Sequence, residues 1–438
     1  MNKTLQQAAK RAQVRRHFIA TVIRGCALSA STLLCLAQSA AASPEQQKIH
    51  NEQVWASFFC GSGCLWEYGS TRGGSTYEFA PPTFEIDGKM ISAEVQNFAP
   101  AGTPIRLHNG VVEYTLEGTL VHDSHLRLGI KLQINDGTPA IRFRYVLSSD
   151  KPGRLGMNRA LNGMTYFRVS LRDLPDVEEV MLSNFAGLTH SYTLFEKTLD
   201  KKDFDERLTV MGPIVAATNG HHSVLLAYEH GSQAPDEFLH FQLFRDRDIG
   251  LTAVKGNYIP GQVIDSYHPY QTIWFETAAV EGGINELAST YRRFVLRHMT
   301  QNLATRKPYI FYNTWNFQER NKWWNGKAYL DSMNEDRVLK EIDVAHRMGV
   351  DVFVLDTGWY EKTGDWNVSA KRVPDGLKLV KDRLDSYNMK LGLWFDPTAA
   401  AMSSRILQDH PEWRMSWNGK INEPHEIWEP RRVTECAW

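Results

Sequence analysis

The sequence predicts a multi-domain β plus α/β protein, an N-terminal β-sandwich followed by the first part of a (β/α)8 barrel, and three observations predict it. From about Ser43 to Ala279 short apolar-alternating runs are separated by turn dipeptides, with no long helical periodicity. Near Gly282 the apolar spacing changes to threes and fours. From Tyr309 onward short apolar strands alternate with amphipathic helices, the pattern of buried parallel strands joined by crossovers. Such a pattern serves either a doubly wound sheet or a barrel. The side chains at the strand ends, Trp315, Asp356 and Trp394, decide for the barrel, where chemistry sits at the C-terminal ends of the strands.

Residues 1–42 read as a signal peptide. Lys3, Lys10, Arg11, Arg15, Arg16 and Arg24 occur there without any Asp or Glu, followed by a mostly apolar run from Cys26 to Ala37 and the small residues Ala40, Ala41 and Ala42. The expected destination is therefore export to the periplasm or beyond. Arg15 and Arg16 ahead of His17, Phe18 and Ile19 resemble a twin-arginine signal, and an ordinary Sec signal fits as well. The apolar run is shorter than the roughly 20 residues a bilayer span needs, so no stable membrane anchor is expected. Removing those six basic residues from 49 leaves 43 against 50 acidic, a formal charge of −7. Nothing in that balance points to nucleic acid.

The sandwich is expected over residues 43–281. Ile141, Phe143 and Tyr145 alternate with Arg142 and Arg144 just after the turn signal Asp136, Gly137. Asn219, Gly220 separates Pro213 to Ala217 from Ser223 to Tyr228 as a type I′ hairpin would, and Asp87, Gly88 marks a similar turn. His221 and His222 lack any accompanying carboxylate or Cys cluster and read as a solvated hairpin end. The glycines between Cys60 and Cys64 would let that pair close as a short disulfide in an oxidising compartment. Two thiolates without His or further Cys fall short of a zinc site, so no metal is expected, and Cys436 is left unpaired.

A linking helix is expected over 282–307, with Leu287, Tyr291, Phe294 and His298 on one face and a break at Arg306, Lys307, Pro308. The partial barrel then occupies 308–438. Its strands are Tyr309 to Asn313, Val352 to Leu355 and Leu391 to Phe395. Between them, Asn334 caps a helix with Val338, Leu339, Ile342, Ala345 and Met348 on its apolar face, stopped by Gly349. A second helix starts at Pro374 and Asp375 with Leu377, Val380, Leu384 and Tyr387 inward.

Carboxylates that accept hydroxyl hydrogen bonds, beside indoles that cover the apolar face of a pyranose, make a sugar site, and both kinds gather at these strand ends. A carboxylate at Asp356 is costly there unless a ligand or a neighbouring donor satisfies it.

Taken in order, Asn313, Thr314, Trp315; Leu355, Asp356, Thr357, Gly358, Trp359, Tyr360; Gly364, Asp365, Trp366; Pro374, Asp375, Gly376, Leu377; Gly392, Leu393, Trp394, Phe395, Asp396, Pro397; and His410, Pro411, Glu412, Trp413 resemble the bacterial, melibiase-like α-galactosidases of glycoside hydrolase family 36. The likeness is dense over 309–413. It implies a retaining hydrolase of terminal α-galactosides such as melibiose and raffinose, working without metal or organic cofactor. It further implies that Trp315, Asp356, Thr357, Trp359, Trp394 and Asp396 bind substrate, with Asp356 holding galactose hydroxyls, and that the completed enzyme could form a homo-oligomer.

Thr357 stands where the family usually has a second Asp, and Asp396 where it usually has Glu. The first change opens an alternative specificity, toward N-acetylated galactose as in an α-N-acetylgalactosaminidase. The family's nucleophile lies in a Lys, any residue, Asp pattern on the fourth barrel strand, and none follows Trp413. Pro430 to Trp438 read as neither the family pattern nor a folded terminus. The expectation is a chain truncated within its barrel, inactive, with nucleophile and acid/base beyond Trp438 and with open sheet edges and apolar helix faces exposed. A non-catalytic carbohydrate-binding remnant is the alternative from another class.

Overall fold

A computed structural model describes residues 47–61, 63–156, 164–182, 194–229, 239–253, 261–417, 420–426 and 432–436. The expected signal peptide lies outside the described residues. The chain divides into two units, 1–298 and 299–438.

Among the described residues every strand pair of the first unit is antiparallel. Strands β1 (Val54–Gly61), β2 (Cys64–Ser70) and β3 (Tyr77–Phe79) form consecutive antiparallel pairs. An eleven-stranded sheet contains β4 (Val111–Leu120), β5 (Leu126–Asn135) and β6 (Ala140–Ser149). It continues through β7 (Pro213–Thr218), β8 (His222–Tyr228) and β9 (Phe275–Glu281). The alternation at Ile141 to Tyr145 holds: Ile141, Phe143, Tyr145 and Leu147 are fully buried, while Arg142 and Arg144 turn to the other face.

The buried faces meet in one aromatic core. Trp66 stacks on Phe79 at 4.3 Å, and Phe143 lies 4.9 Å from Trp66 and 5.3 Å from Phe275. Polar tips find partners inside it: the Trp66 indole N–H donates to the Tyr145 hydroxyl at 3.3 Å, and the Tyr166 and Tyr270 hydroxyls share a 2.7 Å bond.

Turn chemistry shows where residue spacing suffices. Asp87 and Gly88 both have positive φ, 50° and 76°, with Ile86 opposite Lys89, which is the type I′ pattern. The Asn219 turn differs from expectation. Thr218 pairs with Ser223, Asn219 bonds to His222, and Gly220 at φ 84° is the turn residue with positive φ. Its central pair is therefore Gly220 and His221, with glycine first as in type II′, because the Asn219 side chain is occupied in accepting from the His221 and His222 N–H groups. His221 is exposed, whereas His222 is half-buried with Nδ1 lacking a hydrogen bond, so only half of the expected solvated end is solvated.

Cys64 is disulfide-bonded. The side chain of its expected partner, Cys60, lies outside what is described. Cys436 is a free, buried thiol.

Helix α1 (Ile284–Phe294) buries Leu287, Thr290 and Phe294 and passes into a π-helical turn, Val295–Met299, with His298 buried. Beneath it the outer face of the sheet carries a polar cluster. Tyr291 donates its hydroxyl to buried Glu276, and Arg142 pairs with Glu229 at 2.5 Å. The guanidinium groups of Arg142 and Arg144 lie 4.0 and 4.4 Å from the Trp274 ring.

The second unit is built on a parallel sheet, β10 (Phe311–Asn313), β11 (Val352–Leu355) and β12 (Lys390–Leu393), with β11 central. Helix α2 (Trp315–Asn325) follows β10 and is invisible to periodicity, since it buries only Phe317, Gln318 and Asn321. Helix α3 (Glu335–Arg347) is capped as expected: Asn334 Oδ1 accepts the Arg337 N–H at 3.0 Å, and Gly349 takes φ 77° past its end. Met348, expected inward, is exposed, because it sits at the cap after the last buried turn. Helix α4 (Lys378–Ser386) starts later than Pro374 and Asp375 suggest, since Gly376 and Leu377 are left-handed at φ 64° and 73°.

Beyond β12, strand β13 (Ala399–Ala401) precedes helix α5 (Arg405–Asp409). Strand β14 (His425–Glu426) and β13 both pair antiparallel with β15 (Arg432–Glu435), and Val433 and Thr434 are fully buried. Over Arg432–Glu435 this corrects the expectation that the terminus does not resemble a folded one. The pairing of β15 with the buried alanines of β13 is a contact no local pattern in the segment announces.

Candidate functional site

The C-terminal ends of β10 and β11 are laced together by side chains. Thr314, fully buried, accepts the Asp356 N–H on its hydroxyl at 2.9 Å and contacts Gln318 Oε1 at 3.2 Å. Asn313 Oδ1 accepts the Trp315 N–H at 2.8 Å, and its amide donates to Asp356 Oδ2 at 2.9 Å. Asp356 Oδ1 accepts the N–H of Thr357 at 2.7 Å. The carboxylate is thus fixed by one donor on each oxygen, and each oxygen retains acceptor capacity.

Asp356 is 5% exposed. Burial holds its carboxyl above the usual carboxylate range, against the Thr357 N–H and the Asn313 amide, which pull it down. Among the described residues no cation pairs with it and no second carboxylate perturbs it. What this arrangement offers is an oriented acceptor at a strand end, suited to vicinal hydroxyls.

The other expected site residues divide. Trp315 is half-buried at the start of α2, one face stacked on Tyr329 at 4.9 Å and 12°. Trp394 is half-buried on the unit's core. Thr357 and Trp359 are buried. Thr357 turns its hydroxyl to that of Tyr360 at 2.9 Å, and its carbonyl accepts from Gln318 at 2.8 Å. Trp359 donates its indole N–H to the Trp394 carbonyl at 3.0 Å and packs edge-on against Phe395 at 5.1 Å. Both brace the strand ends. Asp396 closes its own turn, accepting the Thr398 N–H and hydroxyl at 3.0 and 2.7 Å, and shares no hydrogen bond with the Asp356 cluster.

Sequence reasoning missed Gln318, Tyr329 and Arg372. Arg372 holds the Gly358 and Tyr360 carbonyls at 2.6 and 2.7 Å and so fixes the loop after Asp356. Gln318 had a readable signal, its spacing of four from Thr314 on a helix. Among the described residues no cluster of His, Cys, Asp and Glu could hold a metal ion.

Comparison with known proteins gives the same direction. Residues 269–425 match the Melibiase family. Over 103 residues the chain is 33% identical to α-galactosidase Mel36A of Lactobacillus acidophilus, covering 22% of this chain and 14% of that protein. Against the α-galactosidase of Escherichia coli it is 25% identical over 159 residues, 34% of this chain and 20% of that protein. The crystal structure of family 36 α-galactosidase AgaA from Geobacillus stearothermophilus superposes with a TM-score of 0.60 at 12% identity, covering 89% of this chain and 61% of that one. The matched regions thus cover less than two thirds of each relative's length, 14%, 20% and 61%. Residues 269–425 are thus similar to the Melibiase family, and the chain has the fold seen in glycoside hydrolase family 36 α-galactosidases.

Proposed function

We propose that this chain carries the galactose-recognising part of a retaining α-galactosidase acting on terminal α-galactosides of the melibiose and raffinose type. The observation that carries the reading is Asp356, a nearly buried carboxylate oriented at a parallel strand end by Asn313 and Thr357. It accepts two neighbouring galactose hydroxyls, with the exposed parts of Trp315 and Trp394 beside the ring. Structures of AgaA with raffinose and with stachyose support this substrate class.

Retaining hydrolysis needs two facing carboxylates about 5 to 5.5 Å apart, one as nucleophile and one as acid/base. Among the described residues no second carboxylate perturbs Asp356, so in this reading it holds substrate hydroxyls and is neither the nucleophile nor the acid/base. Titration with galactose by calorimetry tests the reading: millimolar binding that is lost in Asp356→Asn is expected. Galactose binding unchanged in Asp356→Asn would refute it.

The inward Thr357 hydroxyl favours a second reading, α-N-acetylgalactosaminidase-like specificity, because the place beside Asp356 lacks a second charged contact. Calorimetric binding of N-acetylgalactosamine against galactose separates the two. We further propose export, supported by the bonded state of Cys64, since disulfides persist in oxidising compartments. Fractionation of cells expressing the tagged chain checks it.

A further inference from the structure

The first unit has its own gathering of an indole with polar side chains, on the outer face of its N-terminal sheet. The strand Lys48–His50 pairs antiparallel with β1, with His50 opposite Trp55 and Lys48 opposite Ser57. Trp55 in turn lies opposite Gly69 of β2. Val54, Ala56 and Phe58 alternate into the core, so Trp55 is left half-buried on the other face. Gly69 lets the indole lie down on the sheet, since a Cβ there would stand 3.0–3.1 Å from three atoms of the Trp55 ring.

These residues line a cleft of about 510 Å³, which Ser70 and Ser75 complete from the loop between β2 and β3. Ligand clefts run from roughly 300 to 1,000 Å³. The loop turns at Gly73 and Gly74, with φ of 106° and 112°. It lies close against the ends of β8 and β9: a Cβ at Gly73 would stand 2.5 Å from Glu281 Oε1, and one at Gly74 3.4 Å from His222 Nδ1.

The charge around the cleft is one-sided. Among the described residues no Asp or Glu lines it, whereas Lys48 and His50, both exposed, do. The Lys48 ammonium is 5.4 Å from the Trp55 ring centroid. Glu67 stands in the row of Lys48, beyond Ser57, and is not part of the lining. Glu281 lines a smaller neighbouring cavity, where Arg72 and Arg293 accompany it. Asp356 suits sugar hydroxyls because it accepts hydrogen bonds; an ammonium and an imidazole N–H donate them, and suit an anion.

We propose that this cleft binds an acidic sugar, the uronate unit of a polysaccharide, with the pyranose on the Trp55 indole and its carboxylate at Lys48 and His50. The indole covers the C–H face of the ring, and the Ser70 and Ser75 hydroxyls lie within the same cleft to meet its hydroxyls. Such a site would hold the chain on acidic polysaccharide independently of anything bound at Asp356.

Calorimetry on the whole chain with digalacturonate and its neutral methyl ester tests it. Every variant carries Asp356→Asn, so the strand-end site does not contribute, and circular dichroism verifies each fold. The ester keeps the rings and loses the charge, and should bind about tenfold more weakly than the acid. Lys48→Met should bring the acid to the ester's affinity and leave the ester unchanged. Trp55→Ala should abolish binding of both, and Trp55→Phe, which restores a ring face, should recover part of it. Added salt should weaken the acid and spare the ester. Equal affinities for acid and ester, or acid binding unaltered in Lys48→Met or Trp55→Ala, overturns the proposal. So does a folded chain that binds neither.

Discussion

The two units solve one problem, covering apolar strands, in opposite ways. In the first, hairpins pair β4 with β5, β5 with β6 and β7 with β8, β9 returns from far along the chain to join β6 and β8, and the core closes around Trp66, Phe79, Phe143 and Phe275. In the second, three parallel strands pair only through β11, and Tyr309, Ile310 and Phe311 beside the edge strand are 61%, 58% and 58% exposed. Antiparallel sheet can be completed locally, whereas each parallel strand depends on a neighbour a crossover away. Among the described residues the second unit accordingly leaves β10 and β12 as edge strands of its parallel sheet, while the first has a filled interior.

That contrast can be broken most forcefully in the sandwich core. Phe143→Ala removes a fully buried ring in contact with five others and should cost about 3–5 kcal/mol, lowering the denaturation midpoint of the first unit. A midpoint within error of wild type would mean that the core is less tightly closed than described.

Next in size is the polar cluster under α1. The Glu276 carboxyl is pushed up to about 8, chiefly by burial, with neighbouring Glu229 adding to the rise and the Tyr291 hydroxyl and Arg142 opposing it. Between its ordinary value of 4.5 and about 8, the folded chain holds a proton that the unfolded chain has lost. Stability contributed here is therefore complete at low pH, falls across that window and stays low above it. Glu276→Gln should flatten this slope, by an amount on the order of a few kcal/mol, in urea midpoints measured from pH 5 to 8.5. Parallel slopes for variant and wild type would count against a protonated Glu276.

The second unit offers smaller effects. Asn334→Ala removes the cap of α3 and should cost about 1 kcal/mol in that unit's transition. At the open edge, Phe311→Lys should change stability by less than about 0.5 kcal/mol while reducing self-association in sedimentation, because a charge there blocks edge pairing. A large stability loss would show the edge to be covered.

Fold was legible wherever one local rule dominated. Alternation gave the buried face of β6, Asn334 and Gly349 bounded α3, and Asp87, Gly88 formed the turn its residues require. What escaped depended on partners distant in sequence. Helix α2 has no apolar stripe, and β15 is held by alanines more than thirty residues earlier. At the site, the position of Asp356 at a strand end was readable, but its tethering by Asn313 needed the register of two parallel strands. Thr357 and Trp359 belonged to the expected string of residues, and only packing shows that their side chains turn inward.

The free thiol of Cys436 follows β15 and is buried, with burial also raising it above the ordinary thiol range. A small thiol reagent meets it only when the sheet of β13, β14 and β15 parts. Its rate of labelling in native buffer is thus a clock for that opening, with the lifetime of the C-terminal segment written in a single sulfur atom.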